Sequence, residues 1–176
     1  MYNNNPYGNF LFGNFMKSNS DFMSRDKAIR YYKLARYMAN QFSRDPSTKV
    51  GALLLAPRSL EILSMGYNGM PRGIDDTLPQ RLERPAKYLY TEHAERNALY
   101  NANRRGIALE GAYGIATLCP CADCARGFIQ SGIAGLVTHK QEMSDNRWDV
   151  SFDVGQEMML EAGISIMMLS AEELAE

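Results

Sequence analysis

The chain lacks the sequence features of membrane-spanning and of secreted, disulfide-rich proteins. No stretch approaches the roughly 18 consecutive apolar residues that a membrane-spanning helix needs. The first residues, MYNNNPYGNF, lack the charged region and apolar run of a secretory signal. The cysteines number three and all lie between positions 119 and 124, which is no disulfide framework. We therefore expect a cytoplasmic protein that does not insert into membranes.

An excess of charge of one sign is also missing. The 176 residues include 19 Lys and Arg and 20 Asp and Glu, so the net charge is −1 and the pI about 6.2. This balance argues against a chain built to coat nucleic acid or an anionic membrane surface. The length is typical of one domain, and a hydrophobic fraction of 45% is enough for one sizeable core.

Residues 1–24 differ in composition from the rest of the chain. They contain six Asn, four Phe and two Gly, without helical or strand periodicity. We predict a flexible or loosely docked N-terminal arm. The alternative is a strap onto a neighbouring subunit, because scattered Phe side chains can anchor such an arm. Residues 25–176 then form the domain.

The hydrophobic pattern along residues 25–176 predicts alternating helices and strands. Residues 68–90, rich in Pro, Gly and charge, form a long excursion of the kind that is usually functional. The order α-β-β-α-β-α-β-α-β predicts an α/β fold, a mixed five-stranded sheet with helices on both faces. The last strands should be parallel, with right-handed crossovers. The predicted elements are helix 25–43, strands 49–55 and 62–67, helix 93–105, strand 112–118, helix 123–131, strand 136–139, helix 154–162, strand 164–169 and a helical turn at 171–176.

Two short segments, His93-Ala94-Glu95 and Pro120-Cys121-Ala122-Asp123-Cys124, carry metal-binding chemistry. Each begins a predicted helix, and one helical turn places the sulfurs of Cys121 and Cys124 on the same side. The positive end of a helix favours thiolates, the form of cysteine that binds metal. Two thiolates and one imidazole suit Zn²⁺ and leave one coordination position open for a water.

Glu95 lies two residues beyond the ligand His93, close enough to reach a water on the metal without ligating it. We expect this carboxyl group to relay protons from the water to a ring nitrogen and then to a departing amine. The combination H-x-E with P-C-x-x-C is typical of zinc-dependent nucleobase deaminases.

A closed, inert zinc site is the main structural alternative. Cys119 could join Cys121, Cys124 and His93 in a Cys₃His set. A single proline separates Cys119 from Cys121, and this spacing strains a shared tetrahedral ion. The other histidine, His139, follows a strand and is expected to be structural or solvated.

Three longer segments resemble deoxycytidylate (dCMP) deaminases: DPSTKVGA at residues 45–52, GYNGMPRG at 66–73 and KYLYTEHAERNA at 87–98. The resemblance covers roughly residues 25–168. It implies a three-layer αβα cytidine-deaminase-like fold and hydrolysis of dCMP to dUMP and ammonia, which would supply dUMP for thymidylate synthesis. It also implies a homohexamer, activated by dCTP with Mg²⁺ and inhibited by dTTP.

The same resemblance assigns roles to residues of the site. It implies that His93, Cys121 and Cys124 hold one zinc ion per subunit and that Glu95 is the catalytic acid and base. Asn68 matches the asparagine that contacts the sugar hydroxyl. The backbone N–H of Ala94, at a helix start, would meet the carbonyl of the base.

Five further residues are weaker candidates. Arg104 lies eleven residues after His93, on nearly the same helix face, and could reach back to a monophosphate; a solvated cation at the helix end is the alternative. Asn101 could line the same wall. Trp148 could cover the base or serve ordinary packing. Lys49 and Arg72 could contact a phosphate of substrate or effector, or could be solvated.

Three other functions are alternatives at this point. A deaminase acting on tRNA should show a basic face and aromatic stacking platforms, and a deaminase of free cytidine would leave Arg104 without a task. In a non-catalytic zinc protein, loss of the Glu95 carboxyl group would change no measurable property.

Overall fold

The computed structural model describes residues 22–139 and 148–175. Within them, five strands and seven helices alternate along the chain. The first helix is capped by Ser24, whose side chain accepts a hydrogen bond from the backbone N–H of Lys27. The elements are α1 (Arg25–Phe42), β1 (Gly51–Leu55), β2 (Ile62–Tyr67), α2 (Pro79–Leu82), α3 (Lys87–Tyr90), α4 (Ala94–Arg104), β3 (Tyr113–Ala116), α5 (Ala122–Gln130), β4 (Gly135–Thr138), α6 (Asp149–Glu161), β5 (Ser165–Met168) and α7 (Ala171–Ala175).

The strands form one mixed sheet in the order β2-β1-β3-β4-β5. Strand β1 is antiparallel to both neighbours, with Ala52 opposite Gly66 on β2 and opposite Ala116 on β3. Strands β3, β4 and β5 are parallel. The prediction of a mixed five-stranded sheet with parallel last strands is therefore confirmed.

Helices cover both faces of the sheet, as expected for three layers. On one face α1 packs over side chains such as Leu53, Ile115 and Val137. On the other face α4, α5 and α6 pack over Leu54 and Leu136. Every residue of β1 is buried because helices lie on both sides of it. No helix of the described residues is long and apolar enough to cross a membrane.

Most predicted boundaries lie within two residues of the observed ones, and three differences concern segments near the candidate site. Strand β1 begins at Gly51 instead of residue 49, because the N–H of Val50 donates to the side chain of Asn68 at 2.8 Å instead of pairing with a strand. Helix α6 begins at Asp149, five residues earlier than predicted, in a segment where Trp148 stacks on Phe152. The excursion at residues 68–90 contains the short helices α2 and α3.

Most of the predicted arm lies outside the described residues. Its last residues belong to the folded domain: Met23 is buried, and the ring of Phe22 lies 4.8 Å from the ring of Tyr113. His139, expected to be structural or solvated, places Nδ1 2.9 Å from the carbonyl oxygen of Leu169.

Candidate active site

The two chemistry-bearing segments meet at the N-terminal ends of α4 and α5. His93 is the N-cap of α4, Cys121 is the N-cap of α5, and Cys124 lies in the first turn of α5. Their ligand atoms all lie within 4.8 Å of one another. The Nδ1 atom of His93 is 3.4 Å from the sulfur of Cys121 and 3.5 Å from that of Cys124. Two helix termini thus direct their positive ends toward one cluster of metal-ligating atoms.

The protonation of the cluster fits a metal site with sulfur ligands. A hydrogen bond from Cys124 lowers the pKa of Cys121 to about 4, against the opposing effect of burial. The same hydrogen bond, together with burial, raises the pKa of Cys124. The thiolate of Cys121 raises the pKa of His93 through a hydrogen bond, although burial opposes it. The cluster therefore stabilises the thiolate of Cys121, and two sulfurs with one imidazole are a donor set that suits Zn²⁺.

Cys119 lies outside this donor set, although it is buried and lines the adjacent cavity. Among the described residues the grouped ligand atoms come from His93, Cys121 and Cys124 alone. The closed Cys₃His site, which requires a fourth protein ligand from Cys119, therefore has no support in this geometry.

Glu95 occupies the first turn of α4 and is 3% exposed. Burial raises the pKa of its carboxyl group, and the charge of His93 opposes this effect. Glu95 is outside the set of grouped ligand atoms but lines the same cavity as His93 and Cys121. A carboxyl group in this position can exchange protons with molecules in the cavity without occupying the metal.

Asn68 lines the same cavity and is held rigidly by its neighbours. Its Oδ1 accepts hydrogen bonds from the N–H of Val50 and the hydroxyl of Ser43, each at 2.8 Å. Its Nδ2 donates to the carbonyl oxygen of Thr48 at 2.8 Å. An amide nitrogen carries two N–H groups, so the second can serve a ligand in the cavity.

Trp148 forms an aromatic wall beside the candidate metal ligands. Its ring stacks on Phe152 at 6.1 Å and lies 5.9 Å from the ring of His93 and 6.2 Å from that of Tyr88. It packs against neighbours and lines the cavity at once, so the two interpretations of this residue are compatible. Ala94, also predicted to contact the base, is fully buried in the same lining.

The comparison with known proteins agrees with this arrangement. The family model for the cytidine and deoxycytidylate deaminase zinc-binding region matches residues 25–140, about two thirds of the chain. The chain belongs to this family. Its mixed five-stranded αβα architecture is the cytidine-deaminase-like fold.

Three relatives within the deaminases illustrate the match. The chain is 37% identical over 148 residues to an uncharacterized deaminase in the luxG 3′ region of Aliivibrio fischeri, covering 84% of this chain and 96% of that protein. It is 36% identical over 121 residues to deoxycytidylate deaminase of Mus musculus, 66% of each chain. The crystal structure of dCMP deaminase from cyanophage S-TIM5 in complex with dCMP and dUMP superposes with a TM-score of 0.65 at 25% identity, covering 84% of this chain and 99% of that one.

A second cavity adjoins the first and contains two of the weaker candidates. Arg72 donates a hydrogen bond to the side chain of Asn101, and both residues line this second cavity together with Arg44 and Tyr67. Asn101 also donates to the carbonyl oxygen of Met65 at 2.7 Å. Asn101 therefore lies in the second cavity and is not among the residues that line the first.

Two predicted phosphate contacts lie outside the lining of both cavities. Arg104 is exposed at the C-terminal end of α4. Lys49 is exposed, and its ammonium group donates to the carbonyl oxygen of Asn40 at 3.2 Å. For both residues a role in binding phosphate stays a prediction.

A buried ion pair in the cavity wall escaped the sequence reasoning. The ammonium of Lys87 lies 2.9 Å from Oδ2 of Asp45, and both side chains are 7% exposed. Lys87 also donates to Oδ1 of Asp45 at 3.1 Å and to the hydroxyl of Ser47 at 2.6 Å. Asp45 lies in the turn after the first helix and Lys87 in the excursion. Charged residues in such segments are expected to be solvated, so nothing in the local sequence predicted a buried pair.

Proposed function

We propose that this protein hydrolyses dCMP to dUMP and ammonia with a zinc-activated water. The observation that carries the proposal is the buried carboxyl group of Glu95 beside three grouped side chains that could hold one metal ion. Glu95 and Asn68 line the same cavity. Three protein ligands leave a position for water, as in catalytic zinc sites. Deoxycytidylate deaminases among the relatives support dCMP as the substrate.

The residues of the chain divide the work as follows. When bound, Zn²⁺ would lower the pKa of a water to about 7 and so supply a nucleophile at neutral pH. Glu95 takes a proton from the attacking water, gives one to the ring nitrogen of the base, and later protonates the departing amine. The N–H of Ala94 holds the carbonyl of the base, and Asn68 holds the sugar hydroxyl. Trp148 shields one side of the cavity from water.

Incubation with a substrate panel tests this proposal. Under reducing, zinc-replete conditions, dCMP should yield dUMP and one equivalent of ammonia, faster than CMP, deoxycytidine or dCTP. Preference for free cytidine or for tRNA would favour the other deaminase classes. Intact dCMP after prolonged incubation would contradict the proposal.

Regulation by nucleotides is a second part of the proposal. The second cavity combines two guanidinium groups, Arg44 and Arg72, with the carboxamides of Asn97 and Asn101 and the ring of Tyr67. These groups suit a nucleoside triphosphate. We expect activation by dCTP with Mg²⁺ and inhibition by dTTP. Arg72→Gln should weaken both effects; unaltered responses to both nucleotides would contradict this assignment. If Lys49 also contacts the effector, Lys49→Gln should likewise weaken activation by dCTP and inhibition by dTTP.

The cellular setting forms the last part. We expect a homohexamer, which the mass of the zinc-loaded protein in solution would check, and no nucleic-acid or membrane partner. Three buried cysteines, two of them proposed metal ligands, suit a reducing compartment such as the cytoplasm. There the product dUMP would feed thymidylate synthesis.

A further inference from the structure

Two side chains with a permanent positive charge, Arg84 and Lys87, line the described part of the catalytic cavity. Lys87 is already committed. Its ammonium has three donors, and these meet both carboxylate oxygens of Asp45 and the hydroxyl of Ser47 at 2.6 to 3.1 Å. Its charge is balanced by Asp45, so Lys87 stiffens the wall and adds little net attraction for an anion.

Arg84 has a different position, at the open end of the cavity. It is exposed, lies between α2 and α3, and places its guanidinium carbon 5.8 Å from the centre of the Tyr88 ring. Tyr88 in turn adjoins Trp148, and Trp148 adjoins the metal ligand His93. The rings of Tyr88 and Trp148 therefore form a continuous aromatic wall from the guanidinium to His93, and all four side chains line one cavity.

The cavity also changes from buried to exposed along this direction. Glu95 is 3% exposed at the inner end, whereas Tyr88 is 38% exposed beside Arg84. Removing a phosphate dianion from water is far more costly than burying a neutral base. A nucleotide bound with its base at the metal would therefore place its phosphate at the exposed end, where Arg84 lies.

We propose that Arg84 binds the 5′-phosphate of the substrate and selects a nucleoside monophosphate over the free nucleoside. This inference rests on the deamination proposed above. A guanidinium group presents five N–H donors in a planar fork, which matches two phosphate oxygens at once. The ring of Tyr88 holds that fork in place and reduces the rotamer freedom lost on binding. Phosphate recognition would thus belong to the excursion before α4, whereas Arg104 on α4 is not among the residues that line this cavity.

The experiment compares zinc-loaded, full-length Arg84→Gln with a matched control, Arg81→Gln. Arg81 belongs to the same excursion and lies over the ring of Tyr90, but it does not line the cavity. Loss of a charge-assisted contact should raise the KM for dCMP by about ten- to one-hundredfold. The kcat for dCMP, the kcat/KM for deoxycytidine and the zinc content should change little. Arg84→Lys should restore part of the lost affinity, and Arg81→Gln should behave like the unmodified chain.

Three outcomes would overturn the inference: an unchanged KM for dCMP in Arg84→Gln, an equal rise in KM for dCMP and deoxycytidine, or the expected loss in Arg104→Gln instead. Calorimetry can measure the affinity of the unmodified chain and of Arg84→Gln for dUMP and for deoxyuridine, which gives the same comparison without turnover. An unmodified chain that releases no ammonia from dCMP would contradict the proposed function. Even then, the affinities of the unmodified chain and of Arg84→Gln for dUMP and for deoxyuridine would still decide the role of Arg84.

Discussion

At the scale of single residues, the site places an acid where burial changes its proton affinity. Glu95 is almost fully enclosed, and burial raises the pKa of its carboxyl group. A carboxyl group with a raised pKa can accept and return protons within one catalytic cycle. The amide of glutamine has the same shape but cannot carry a proton, so substitution separates chemistry from packing.

Glu95→Gln should keep zinc and lose turnover. We expect the rate of dCMP deamination to fall by about 10²- to 10⁴-fold, the contribution typical of general acid–base catalysis. Zinc content, measured by atomic absorption, should stay at one per chain, because Glu95 is outside the ligand set. Equal activity in the two proteins would show that the carboxyl group does not carry protons in the reaction.

Cys119→Ser should keep both zinc and deaminase activity. Cys119 is buried near the site but is not grouped with the three ligands. The matched variant Cys121→Ser removes one of those ligands and should lose most of the bound metal. Loss of zinc from Cys119→Ser as well would restore the closed, four-ligand alternative.

At the scale of elements, the position of α4 depends on a glycine in β2. A Cβ atom at Gly66 would overlap the carbonyl oxygen of Ala94 and the amide nitrogen of Ala98. The hydroxyl of Ser64 donates to the carbonyl oxygen of Ala98 at 2.7 Å beside this contact. Because α4 presents His93 and Glu95 at its N-terminal end, this contact between strand and helix also positions the site.

Gly66→Ala should therefore lower the free energy of unfolding by about 1–3 kcal/mol, as overpacking in a tight core does. Gly69→Ala is a suitable control, because its added Cβ would have its nearest neighbour at 3.7 Å, an ordinary contact. Urea unfolding followed by circular dichroism measures both variants. A Gly66→Ala protein as stable as Gly69→Ala would mean that α4 moves away from β2 at little cost.

At the scale of the whole molecule, the Asp45–Lys87 pair joins two segments that are 42 positions apart in the chain. One segment follows α1, and the other is the excursion that leads into α4. Burial alone would raise the pKa of Asp45, but hydrogen bonds from Lys87, Ser47 and Thr48 outweigh it and hold this pKa below its usual value. The ionised pair therefore contributes to the stability of the fold.

This contribution should depend on pH in a defined direction. The depressed pKa of Asp45 means that the stabilisation is complete above the unfolded value of about 3.9 and is lost as pH falls through the folded value. Asp45→Asn leaves the charge of Lys87 buried and unpaired, so it should cost about 3–5 kcal/mol at pH 7 and less at about pH 3. Urea unfolding at both pH values measures the difference.

Asp123→Asn serves as the control for that measurement. Asp123 pairs with Arg126 on the exposed face of α5, and exposed pairs contribute about 0–1 kcal/mol. Its removal should have little effect at either pH. An Asp45→Asn penalty that is the same at both pH values would show that the ionised pair does not stabilise the fold.

The predictable part of this protein is its element order and its candidate metal ligands. Helical and strand periodicities identified α1, the β1–β2 hairpin and the later alternation of helix and strand, since those periods record which face each element buries. The candidate ligands His93, Cys121 and Cys124 followed from the two motifs and their spacing, and the structure groups their side chains. The errors at β1 and α6 arose where Asn68 and Trp148 make contacts with residues distant in the chain.

The sequence by itself determined the αβα order and identified His93, Cys121, Cys124 and Glu95 as candidate site residues, because periodicity and motif spacing are local properties. Tertiary structure alone decided which charged side chains line the candidate active-site cavity. It left Arg104 exposed at a helix end, drew Asp45 and Lys87 into the cavity wall and brought Arg84 to its open end. Whether a charged side chain faces water or a buried partner depends on segments far apart in the chain, and only their packing brings such groups within hydrogen-bond distance.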